Sequence, residues 1–202
     1  MKYKTNLESR CIGKNFLRYL INFLMSHTIK VSKLDVARRQ LEQAIFLFFN
    51  DGDPIAIHTL VAAAYNIVRD LNIKTNADGK MIKTKLVNEA KESERKRIKD
   101  KISEAENFFK HADRDPEAVL NFNPSMTGLL LYDAIQHYKS LSSENSAYFK
   151  VYDAWVILMN IGAANVPTDL KNKVVINVPA ALNMGRKAFF KKTFSAFKEL
   201  DD

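Results

Sequence analysis

Cysteine, glycine and proline are all scarce in this chain of 202 residues, which has one Cys (Cys11), six Gly and five Pro. Few glycines and prolines leave few obligatory breaks, which favours long helices over many short strands and turns. A lone cysteine excludes an internal disulfide and any metal site built from several thiolates. It fits a reducing, cytoplasmic setting. The patterns G-x-x-x-x-G-K-[ST], G-x-G-x-x-G and G-x-S-x-G are missing, so nothing points to phosphate-loop hydrolysis, dinucleotide binding or a serine hydrolase. No internal repeat or low-complexity tract is found. The apolar stretch 16–25 (FLRYLINFLM) follows several cations, but Arg18 and Asn22 interrupt it and no small-x-small cleavage site comes after. It is too short to span a bilayer. A packed or interfacial helix is expected there, and Met25 offers an alternative natural start, with the preceding residues as an upstream extension.

What is present suits a self-sufficient core. The chain is 47% hydrophobic and 27% charged, the balance of an ordinary globular domain. A chain of this length buries roughly 70% of its unfolded surface. With 31 Lys+Arg against 23 Asp+Glu, the net charge of +8 suits anionic partners, RNA among them. The cations spread over 91–101, 110–114 and 186–198 rather than forming one tract, so a solvated lysine-rich surface is the competing explanation.

Hydrophobic spacing predicts helices throughout. Ser32 can cap a helix to about Asn50, with Leu34, Ala37, Leu41, Ala44, Ile45 and Phe48 facing inward. Asn50-Asp51-Gly52 stops it, and Asp53 caps the next, with Pro54 at its first position. That second helix turns Ile57, Val61, Ala64, Val68 and Leu71 inward and pairs antiparallel with the first. Helices are expected over 81–90 and, densely charged, over 91–101, with a kink between them allowed. Ser125 can cap a helix over 126–141, and 147–161 is the most hydrophobic helix. Residues 165–177 read as extended coil, and Pro179 opens a final helix mixing Phe189, Phe190, Phe194 and Phe197 with Arg186, Lys187, Lys191, Lys192 and Lys198. The phenylalanines read most simply as core and the lysines as solvent-facing; base stacking or partner docking is the sharper alternative. The expectation is an all-α single bundle of about six or seven helices over 32–202, with an N-terminal helical extension over 1–31.

Residues 105–116 (AENFFKHADRDP) stand out chemically. As a helix ending at the pre-proline Asp115, the segment would turn Ala105, Phe109 and Ala112 to the core. Asn107 and His111 would share a polar face. A histidine titrates near neutrality and can move a proton at a ribose oxygen, while Lys110 and Arg114 can neutralise phosphate charge. Asn107, Lys110, His111 and Arg114 are therefore the candidate catalytic residues, with backbone capping and turn formation the plain alternative.

The Asn107-x-x-x-His111 pattern resembles the signature of the HEPN family, small all-α proteins found among prokaryotic toxins and RNA-targeting enzymes. The resemblance implies an up-and-down helical core, metal-independent RNA cleavage and a homodimer bringing two sites together. It covers about six residues, and Glu106 stands where the family has arginine, which implies RNA or nucleotide binding with weak or lost cleavage. Two other readings stand beside it. One is a non-enzymatic helical domain that serves a protein partner. A metal-dependent hydrolase would need His58, His137, Asp133 and Asp113 to converge on one ion. No cofactor is implied. His58, Asn66 and Asp70 place polar groups on an otherwise apolar helix, as a buried network or a pocket wall; packed against 105–116, His58 and Asn66 would support that segment.

Overall fold

The computed structural model describes residues 14–26, 28–75, 81–113, 115–159 and 183–199. Among these residues there are eight helices and no strand: α1 (Lys14–Ser26), α2 (Lys33–Phe49), α3 (Pro54–Lys74), α4 (Ile82–Glu89), α5 (Glu92–Phe108), α6 (Ser125–Leu141), α7 (Ala147–Met159) and α8 (Arg186–Glu199). The protein is all-α, as its hydrophobic spacing implies. None of these helices is long and apolar enough to cross a membrane. The expected coil over 165–177 and the helix start at Pro179 lie outside the described residues. The chain divides into two compact units, Met1–Ser32 and Lys33–Asp202. In the first, α1 exposes Phe16, Leu17, Tyr19, Ile21 and Leu24.

In the second unit, α2 and α3 form an antiparallel hairpin, and α6 and α7 complete the core. The turn between α2 and α3 depends on each of its residues. Asp51 takes the left-handed conformation, with φ 56°, that a glycine commonly supplies. Gly52 is needed for space instead, since a Cβ there would lie 2.8 Å from the Leu47 Cβ. Asp53 Oδ1 accepts from Ile55 N and Ala56 N at 2.9 Å, capping α3 with Pro54 behind it.

Ala37, Leu41, Ala44, Ile45 and Phe49 of α2 are buried against Val61, Ala64, Tyr65 and Val68 of α3 and Leu131, Ala134, Ile135 and Tyr138 of α6. Phe49 is the hub of an aromatic cluster. It meets Tyr152 and Trp155 of α7 edge-on and stacks with Phe189 and Phe190 of α8. Phe194 and Phe197 are half-buried against the same core, so the phenylalanines of α8 are packing residues.

Three local expectations are corrected. The helix through 105–116 ends at Phe108, not Asp115, because Lys110 N and His111 N turn back onto the Asn107 carbonyl at 3.2 and 3.1 Å. Ala112 is consequently exposed, and the buried residue of this turn is Glu106. At α6, Ser125 begins the helix rather than capping it; its N–H donates to Asn123 Oδ1 at 3.0 Å.

Candidate functional site

The interior between α3 and α6 carries polar groups that organise α4 and α5. Asp133 of α6 is buried, and its Oδ2 accepts from both Tyr65 OH and Ile82 N at 2.8 Å. Tyr65 OH in turn accepts from Lys83 N at 3.0 Å. Two orphan amides at the start of α4 are thus satisfied by side chains of α3 and α6. Burial, with the Asp133 carboxylate beside it, pushes the Tyr65 phenol well above its ordinary range.

Lys83 is buried as well, and its Nζ lies 3.3 Å from Glu106 Oε2. Glu106 Oε1 takes Lys110 Nζ at 2.8 Å and a short hydrogen bond from Asn66 Nδ2. Burial works to raise the Glu106 carboxyl, but Lys110 and Lys83 outweigh it and hold it below the ordinary glutamate value. Burial lowers the Lys83 ammonium, with the Glu106 charge opposing. One carboxylate between two ammonium groups and an amide forms a satisfied network.

His58 is 4% exposed. Its Nδ1 lies 2.9 Å from Thr127 Oγ1, and its ring meets Phe109 at 5.7 Å and Phe122 at 5.1 Å, both edge-on. Its Nε2 has no hydrogen-bond partner. Burial, with Lys83 nearby, lowers its pKa, so the ring is neutral at pH 7. His58 and Asn66 therefore do lie against the start of the 105–116 segment, through Phe109 and Glu106.

The four residues first singled out fall differently. Asn107 and His111 are exposed and line one open depression of about 1310 Å³ along α5, with Phe108, Asp113 and Asp115. Its cations, Lys96, Arg97 and Lys101, share it with Asp100, Glu104, Asp113 and Asp115. Lys96 is paired with Asp100, Arg97 with Glu94 and Lys101 with Glu104. Lys110 is engaged by Glu106, and Arg114 lies outside the described residues. Glu106, at the place of the family's arginine, points inward rather than to the depression.

The four residues of the metal alternative do not converge. Asp133 Oδ1 lies 3.4 Å from His137 Nε2 while its other oxygen serves Tyr65 and Ile82, His58 is held by Thr127, and Asp113 is exposed in a loop. Among the described residues no three His, Cys, Asp or Glu side chains are grouped to hold a metal ion.

The cations of α5 and α8 differ in company. α5 holds five cations and five carboxylates. α8 holds five cations and one carboxylate, Glu199. Arg186 pairs with Asp51 at 2.6 Å and sits over the Phe48 ring. Lys187, Lys191, Lys192 and Lys198 are exposed, and no carboxylate pairs with them among the described residues. The pairings along α5 were readable from helical spacing; the mismatch on α8 was readable too, from its composition. The bonds of Glu106 to Lys83 and Asn66 and of Asp133 to Tyr65 left no such signal, because those partners are remote in sequence. Comparison with protein-family models, curated proteins and solved structures finds no match for this chain.

Proposed function

We propose that this protein is a non-catalytic RNA-binding helical bundle that holds the sugar–phosphate backbone on the exposed lysines of α8. One observation carries the reading: Lys187, Lys191, Lys192 and Lys198 are exposed, with no carboxylate partner among the described residues, on a helix whose other face is locked into the core. They extend over roughly 16 Å of helix axis. An unpaired lysine row attracts polyanions because neutralising phosphates releases condensed counterions. The phenylalanines beside it are committed to packing, so bases have no stacking platform and binding is independent of sequence.

Kinship with the HEPN family rests on the Asn107–His111 pair and the all-α bundle, and this reading includes the family's homodimer and a cytoplasmic setting. It assigns the chain no cleavage. The depression beside His111 has at least as many carboxylates as cations, which leaves transition-state phosphate charge without compensation.

The test is retention of a single-stranded RNA across a salt series. Four phosphate contacts give a slope of log K against log salt of about −3, a loss of roughly 50-fold between 50 and 200 mM. Replacing the four lysines of α8 with Gln should flatten that slope, while His111→Ala leaves it unchanged and neither protein cleaves the RNA. An unaltered slope in the four-Gln variant would contradict the proposal. Retention of polyglutamate at equal strength would favour an acidic protein partner instead.

A further inference from the structure

In the first compact unit, α1 carries a feature that the RNA reading does not use. Between Phe16 and Leu24 its polar residues are Arg18 and Asn22, four apart. At about 100° per residue those two share one side of the helix, and the apolar positions fan over about 200° of the rest. Phe16, Leu17, Tyr19, Leu20, Ile21 and Leu24 are each exposed, from 38% at Leu20 to 68% at Tyr19. So broad an apolar face marks an interaction surface, because its removal from water is favourable.

The breadth of the face and the charge beside it decide what covers it. The seam that a coiled-coil partner covers is much narrower. α1 has no carboxylate, and residues 1–26 carry Lys2, Lys4, Arg10, Lys14 and Arg18 against Glu8 alone. Two copies of this segment would bring like charges together, whereas an anionic surface complements them. At 13 residues α1 is about 20 Å long, short of the ~30 Å hydrocarbon core of a bilayer. It can lie along the interface but cannot span it. A wide Phe- and Leu-rich face beside a cationic one is the composition of helices that lie in the plane of a membrane surface.

We propose that α1 docks on an anionic phospholipid surface, with Phe16, Leu20 and Leu24 toward the acyl chains and Arg18 among the headgroup phosphates. The proposal does not rest on the RNA reading, since no residue of α8 takes part.

The test uses the full chain and phosphatidylcholine vesicles with or without phosphatidylserine. Binding is read by cosedimentation. Depth is read from a Tyr19→Trp variant by quenching with acyl-brominated lipid at saturating lipid, against the native chain, which has Trp155 alone. The chain should bind the phosphatidylserine vesicles more tightly than phosphatidylcholine alone, and the new indole should be quenched. Arg18→Gln should weaken binding about fivefold. Leu20→Asp puts a carboxylate in the middle of the apolar face and should abolish the quenching. Both substitutions lie outside the unit that holds the core. Replacing the four lysines of α8 with Gln should leave the quenching in place, which separates insertion of α1 from adsorption of a cationic surface. Absence of vesicle binding, equal binding to phosphatidylcholine alone, an unquenched indole on bound protein, quenching that survives Leu20→Asp or quenching lost in the four-Gln variant would each overturn the proposal. Self-association that Leu20→Asp abolishes, with the indole unquenched by lipid, would overturn it in favour of a second copy of the chain.

Discussion

Glu106 is the residue on which the interior charges turn. It is 8% exposed and sits against Lys83, Lys110 and Asn66. Removing one member of a buried ion pair leaves the other charged and unsolvated, at a cost of about 3–5 kcal/mol. Glu106→Leu should therefore lower the free energy of urea unfolding by that order. Adding Lys83→Met should recover much of the loss, because the pair as a whole contributes far less than either half alone costs. Additive losses in the double variant would show that the two side chains do not act as a pair. His58 yields a second prediction. Burial depresses its folded pKa below the unfolded value, so below that unfolded value of about 6.5 the unfolded chain binds the extra proton. Stability is thus lost as pH falls from 7 toward 5. Glu106, also depressed, adds a further loss as pH falls below the ordinary glutamate range. His58→Gln should flatten the dependence of Tm on pH between 7 and 5 relative to the native chain, and an unchanged profile would contradict the assignment.

At the level of elements, the α2–α3 hairpin was legible in detail, whereas for the α4–α5 arm the two helices and the break between them were legible but not the contacts that hold them or where α5 ends. Asp53 and Pro54 announce the start of α3 through local hydrogen bonding and a fixed φ. Asp53→Ala should cost about 1 kcal/mol in thermal or urea unfolding. Gly52→Ala should destabilise as well, since the new methyl meets the Leu47 Cβ at 2.8 Å and must displace it. The inward stripe of α2 was also readable from period alone, although Phe49, the hub of its aromatic cluster, lay beyond the last residue the pattern suggested. By contrast, α4 begins where Asp133 and Tyr65, remote in sequence, receive its first amides. Nothing near Met81 carries that information. α5 stops at Phe108 although helix-forming residues continue, because the chain turns there and Phe109 packs edge-on against His58 and Phe122. Tertiary contact overrode a local signal that pointed to Asp115.

Across the whole molecule, charge is divided unevenly rather than simply in excess. The net +8 suggested a diffuse basic surface, yet the most densely charged helix, α5, is balanced and internally paired. The uncompensated share that the described residues reveal most clearly lies on α8. The Asn107–His111 pair caught the eye because its residue types suit ribose chemistry, but its neighbours in space are as acidic as they are basic. Lysine acetylation footprinting with and without single-stranded RNA at low salt tests the central claim most directly. RNA should protect Lys187, Lys191, Lys192 and Lys198 while leaving the reactivity of Lys96, Lys99 and Lys101 unchanged. Protection confined to α5, with α8 as reactive as in free protein, would contradict it.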